Sequence, residues 1–153
     1  MSEVSMPEKK TVERARKDAR EGKSPSTQAG EFVREEIEHV REGKHGARNA
    51  KQAIAIGLSK ARRAGVKLPP PKSGSAETKA QARRDTKKGE SGSQKTSATR
   101  SRATTHALKK EGHAAASRSA LSRQARTSAR HRTAESRSDS ARKAARTRAK
   151  HRG

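Results

Sequence analysis

Beyond Leu68 this 153-residue chain contains two large aliphatic side chains, Leu108 and Leu121. Leu, Ile, Val and Phe together make up 13 of its residues, and the nominal 27% hydrophobic content is largely Ala. Ordering a backbone costs about 1–2 kcal/mol per residue, and buried apolar area has to outweigh that cost. One compact domain with a full aliphatic core is therefore excluded. The chain also carries 39 Lys/Arg against 16 Asp/Glu, a formal charge of +23, the combination of low hydropathy and high charge typical of disorder. No apolar run approaches the ~18 residues of a membrane span. With no Cys, disulfide frameworks and thiolate zinc sites are excluded as well.

The charge is unevenly placed. Up to Lys72, just past Pro69-Pro70-Pro71, 17 Lys/Arg face 10 Asp/Glu; beyond it, 22 face 6. This composition predicts four stretches: a marginal helix in 1–25, a helical head at 26–68, a Pro/Gly/Ser/Lys linker at 69–97 and an Ala/Arg/Ser-rich low-complexity tail at 98–153. The first ten residues are polar and include Glu3 and Glu8. They read as neither signal nor transit peptide, and the expected address is the cytoplasm.

Three helices are expected in the first half. The first spans about Pro7–Glu21, with Pro7 at its start and a thin stripe of Val12, Ala15 and Ala19. The second spans about Ser26–Glu42, capped by Ser24 or Ser26. Ala29, Phe32, Val33, Ile37 and Val40 form its apolar stripe. Glu31, Glu35, Glu38 and Glu42 lie opposite, with Glu36 nearer the stripe, and all read as surface charges or salt-bridge partners rather than a buried pair. The third runs from Asn49 to Gly65, with Asn49 and Gln52 as a capping pair and Gly65 as the stop. The short 43–48 connection predicts an antiparallel hairpin in which Phe32, Val33, Ile37 and Val40 pack on Ile54, Gly57 and Leu58. The fold class expected is all-α without β-sheet: a small hairpin of two to three short helices with a long, largely disordered basic tail.

With no Trp or Tyr and a single Phe, the chain has no platform for stacking bases. Arg suits bidentate phosphate pairing instead. The expected partner is nucleic acid, DNA ahead of RNA, bound without sequence preference through phosphates. The expected contacts are Lys60, Arg62, Arg63 and Lys67 in the head, and Arg118, Arg123, Arg126, Arg130, Arg132, Arg142, Lys143, Arg146 and Arg148 in the tail. A nucleoid-associated, architectural role follows. Two alternatives stand beside it, the first using the same charges. One is RNA or ribosome association. The other is a protein-interaction hairpin, docking a partner or a second copy along the Ala53/Gly57/Ala61 groove, with a solubilising tail.

Catalytic machinery is not expected. The six His form no pair at helical ligand spacing, and no phosphate loop or nucleophile–base arrangement can be drawn. Neither cofactor, metal nor small-molecule substrate is anticipated. The many Ser/Thr beside Arg could accept phosphate, which would weaken polyanion binding.

The stretch GEFVREEIEHVREGKHGAR (30–48), continuing as KQAIAIGLSKARRAGVKLPPP (51–71), resembles a family of small, very basic bacterial proteins of unknown function. The resemblance covers about residues 7–72 and, loosely, the tail ending in ARKAARTRAK. Members are often labelled only as hypothetical and sometimes as DNA-binding or plasmid-stability proteins, and the resemblance carries over no catalytic residue. In composition the tail is also similar to bacterial histone-H1-like proteins, though it lacks their Lys/Pro-rich repeats.

Overall fold

The computed structural model of the protein describes residues 7–92 and 97–152. The expectations for residues 1–6 and for 93–96 of the linker lie outside the described residues. Seven α-helices follow in order: α1 (Lys9–Arg20), α2 (Pro25–Arg41), α3 (Ala50–Arg63), α4 (Ala76–Ser91), α5 (Ala98–Lys109), α6 (Arg118–Arg130) and α7 (Ala134–Lys150), with a 3₁₀ turn at Ala114–Ala116 between α5 and α6. No strand occurs among the described residues. This corrects the expected two- or three-helix hairpin with a disordered tail: helices continue through the linker and tail. Their physical basis is local. Ala and Arg are good helix formers, and side-chain caps start the helices. Ser75 Oγ accepts from the Thr78 amide, and Thr133 Oγ1 from the Ser136 amide.

The chain divides into two units, residues 1–117 and 118–153. In the first, α2 and α3 form the antiparallel hairpin, α1 packs on α2, and α4 packs on α3. Its boundaries follow from punctuation. The Thr27 amide donates to Ser24 Oγ at the start of α2, with Pro25 in the first turn. Asn49 Oδ1 accepts from the Gln52 amide (2.9 Å), and Gln52 Oε1 accepts from the Arg48 amide (2.7 Å). Beyond α3, the Val66 amide donates to the Ala61 carbonyl and the Gly65 amide to that of Arg62, the crossed pair of a Schellman ending.

The hairpin interface is built on small residues. Ala53 and Ala61 are wholly buried, while Ile54 and Leu58 are half-buried. A Cβ at Gly57 would stand 2.6 Å from Val33 Cα, so glycine is what lets the helices approach. The Ala53/Gly57/Ala61 groove is thus filled by α2 of the same chain, which is where Val33 lies; it is not a free docking groove. The main apolar cluster joins Ala15, Ala29, Phe32, Ala61 and Val66, flanked by Val12, Leu58, Ala64 and Leu68. Phe32, the one phenyl ring, is its largest side chain.

Alanine and backbone bonds extend this unit where aliphatics run out. The Gly46 amide donates to the Leu108 carbonyl (2.8 Å) and the Ala47 amide to that of Gly112 (3.0 Å). Arg41 Nε donates to the Ala116 carbonyl (2.9 Å). Leu108, Ala115 and Ala116 are buried, so 98–117 packs with the head. On α4, Ala82 and Asp85 are buried. A Cβ at Gly89 would lie 2.1 Å from the Arg62 carbonyl oxygen, so α4 also approaches α3 through a glycine.

The second unit is different in kind. Neither α6 nor α7 contains a buried residue. No helix among the described residues is long and apolar enough to cross a membrane.

Candidate functional site

Two features carry chemistry: a buried ionic cluster in the first unit and an exposed basic surface in the second. The cluster gathers Glu8, Glu35, Glu36, His39, His45 and Lys60 from α1, α2, the 43–49 loop and α3. Glu36 is fully buried, and its Oε1 is paired with the Lys60 ammonium, itself 1% exposed. Its Oε2 lies 3.0 Å from His45 Nε2, and His45 Nδ1 is 2.9 Å from the Gly46 carbonyl oxygen, to which it donates. His39 Nε2 lies 3.1 Å from Glu8 Oε1, with His39 Nδ1 3.8 Å from Glu36 Oε1. The two imidazoles stand nearly perpendicular, centroids 6.1 Å apart. Glu35 Oε2 accepts from the Glu8 amide (3.1 Å) at the start of α1, where the helix dipole favours an anion. Glu35 Oε1 is buried without a hydrogen-bond partner.

The electrostatics follow from these contacts. Burial pushes the Glu36 carboxyl up, but the His45 hydrogen bond and the Lys60 charge outweigh it and hold it below its ordinary value. The same Glu36 bond raises the His45 imidazole against the effect of its own burial. The hydrogen bond with His39 lowers the Glu8 carboxyl.

Sequence reasoning missed this cluster. Glu35 and Glu36 are internal rather than surface charges: the start of α1 closes on Glu35 through the Glu8 amide, and His45 and Lys60 close on Glu36. His39 and His45 are six residues apart, and only the turn at Gly43 folds His45 back beside the helix. The one available signal was Glu36 and His39, three apart and hence on one helical face.

Among the predicted phosphate contacts, two head residues are corrected. Lys60 is buried and neutralises Glu36. Arg62 is 7% exposed, and its guanidinium donates to the Leu68 and Pro69 carbonyls; burial lowers its pKa. Both serve the fold, Arg62 by fastening the chain after α3. Arg63 is half-buried, 3.9 Å from Asp85, and Lys67 is exposed. Arg118, Arg123, Arg126, Arg130, Arg132, Arg142, Lys143, Arg146 and Arg148 are all solvent-accessible, none of them buried. Arg123, Arg126 and Arg130 share one side of α6; Arg142 and Arg146 share one side of α7. Residues 118–153 hold twelve Lys/Arg against Glu135 and Asp139. Arg142–Asp139 (3.2 Å) is the one ion pair in this unit among the described residues.

A cleft of about 440 Å³ lies between α3, α4 and α5, lined in part by Ile56, Ser59, Arg63, Asp85, Arg100 and Leu108. Asp85 is engaged there by Ser59 Oγ (2.7 Å) and Gln81 Nε2 (3.1 Å), so its carboxylate serves the packing of α4 on α3.

Residues 7–73 match a family of unknown function, DUF6496. That match, which spans less than half of the chain, fits the resemblance to a small family of unknown function. That match supports neither a DNA-binding nor a plasmid-stability label. No curated protein and no solved structure matches the chain.

Proposed function

We propose that the protein binds nucleic acid without sequence preference, DNA ahead of RNA, in a binding rather than catalytic role associated with the nucleoid. The observation that carries this reading is the second unit: two helices with no core, twelve exposed Lys/Arg, and two acids, Glu135 and Asp139, to answer them. Guanidinium groups in helical rows match the bidentate geometry of phosphate oxygens. Like charges three and four apart weaken an isolated helix, and phosphates cancel that repulsion. The absence of stacking aromatics directs binding to the backbone, where it is driven by counterion release. In the head, Lys67 and Arg63 remain available to phosphates; Lys60 and Arg62 do not.

The test is anisotropy titration of a labelled duplex with the full chain between 50 and 200 mM salt. With roughly eight phosphates engaged, affinity should fall by about 10³–10⁵-fold over that range. Replacing Arg123, Arg126, Arg130, Arg142, Arg146 and Arg148 by Ala should lower the slope of log K against log salt by about 0.9 for each phosphate no longer neutralised. A six-fold variant that binds as tightly as the native chain, with the same slope, overturns the reading. Competition with duplex and single-stranded RNA decides between the two nucleic acids, and RNA winning would reassign the protein to RNA or ribosome association.

A further inference from the structure

We propose that Glu36, His39 and His45 form a binding site for one divalent transition-metal ion of the zinc class, a site independent of nucleic-acid binding. The ligand atoms would be Glu36 Oε2, His39 Nδ1 and His45 Nε2. One ligand atom from each of the three residues can be chosen so that all lie within 4.8 Å of one another. Ligands about 2.0–2.1 Å from a tetrahedral ion stand about 3.4 Å apart. The 3.0 Å between His45 Nε2 and Glu36 Oε2 therefore needs only a small movement to admit an ion.

Three observations point to a cation. First, the outer nitrogen of each imidazole already has an oxygen partner: His45 Nδ1 the Gly46 carbonyl, His39 Nε2 the Glu8 carboxylate. His39 Nδ1 thereby keeps its lone pair, and at His45 a metal ion would take the place of the Nε2 proton now shared with Glu36 Oε2; an outer partner on each ring is the usual setting of a metal-bound histidine. Second, Glu36 and His39 lie one turn apart on α2, the Glu-x-x-His spacing with which helices chelate ions. Lys60 on Oε1 leaves Oε2 for the metal and orients the carboxylate from behind. Third, the cluster lacks positive charge. Glu8, Glu35, Glu36 and Glu42 face Lys44 and Lys60. Once an ion displaces the proton that His45 shares with Glu36, both imidazoles are neutral and two negative charges are left over, the charge of one divalent ion. Glu35 Oε1, buried, without a hydrogen bond and 3.9 Å from both Lys60 Nζ and His39 Nε2, is the local sign of that deficit. Two imidazoles and one carboxylate favour zinc, cobalt, nickel or copper over magnesium or calcium. The fourth position falls to water. The ion would tie the 43–49 loop to α2.

The experiment is equilibrium dialysis and calorimetric titration of chelator-treated full-length protein with Zn²⁺ and Co²⁺. One equivalent should bind, Co²⁺ should show ligand-field absorption of a low-symmetry four-coordinate site, and the ring protons of His39 and His45 should shift while those of His106, His113, His131 and His151 do not. His39→Gln and His45→Gln should each weaken binding by at least about 100-fold, with helix content checked by circular dichroism. Should either variant fail to fold, the histidine resonances of the native chain decide. No stoichiometric uptake by the native chain, uptake that shifts only the other four histidines, or an unchanged Kd in both folded variants overturns the site.

Discussion

The two units are made of similar residues and use them in opposite ways. Both are rich in Ala and basic side chains. In residues 1–117, Ala29, Ala53, Ala61 and Ala116 are fully buried, and cations such as Lys60 and Arg62 are internal partners of Glu36 and of backbone carbonyls. In α6 and α7 nothing is buried and the cations face solvent. The difference lies in the neighbours. Phe32, Val33, Ile37 and Val40 give α2 a face on which others can pack. That face lets an alanine bury its methyl group and gives an arginine a carbonyl to hold. α6 and α7 have only Leu121. A basic residue is structural where something covers it and is available to a polyanion where nothing does.

Substituting on each side of that divide should give effects of very different size. The largest belongs to Lys60. Lys60→Ala leaves the Glu36 carboxylate buried beside Glu35 with one cation fewer, and the head should lose about 3–5 kcal/mol in urea unfolding followed by circular dichroism. Arg146→Ala, on bare α7, should change stability by no more than about 0.5 kcal/mol. Equal effects would erase the contrast.

Next comes pH, in a chelator so that no metal ion competes for the histidines. His45 is raised by Glu36, so its contribution is complete below the unfolded value of about 6.5 and is lost as pH rises through its folded value. Glu36 is lowered, so its contribution is present above its unfolded value of about 4.3 and is lost as pH falls through its folded value. Head stability should therefore peak in the mildly acidic range between them. Urea midpoints measured across pH check this, and His45→Gln should flatten the alkaline limb.

Two helical glycines sharpen the comparison at a finer scale. Gly57→Ala places a Cβ against the Val33 backbone and should cost about 1–3 kcal/mol. Gly30, inside α2, has nothing within 4 Å of the corresponding Cβ, and Gly30→Ala should stabilise by about 0.5–1 kcal/mol through helix propensity alone. Thermal melts of both variants read the opposite signs.

The first three helices were legible because their signals are local. Ser24, the Asn49–Gln52 pair and Gly65 act through bonds spanning three to five residues, and each sits where the pattern placed it. The hairpin was legible from the stripe on α2 and the short 43–48 connection. The helices beyond Pro71 were not, because their composition reads as disorder when stability is judged from aliphatic content, while caps and alanine propensity act without it. The basic surface of the second unit was legible from charge alone. The cluster around Glu36 was hidden because its members come from four separate stretches.

By itself the sequence determined where helices start and stop in the head, that the greater share of the charge lies beyond the triple proline, and that no aromatic platform exists. These depend on spacing and composition, which a linear chain displays directly. Tertiary structure decided which charges are internal. The start of α1 had to close on Glu35, the turn at Gly43 had to return His45 to α2, and α3 had to dock through Gly57 to bring Lys60 onto Glu36. Whether a charged side chain is solvated or buried is a property of what lies across from it, and no periodicity within one helix contains that information.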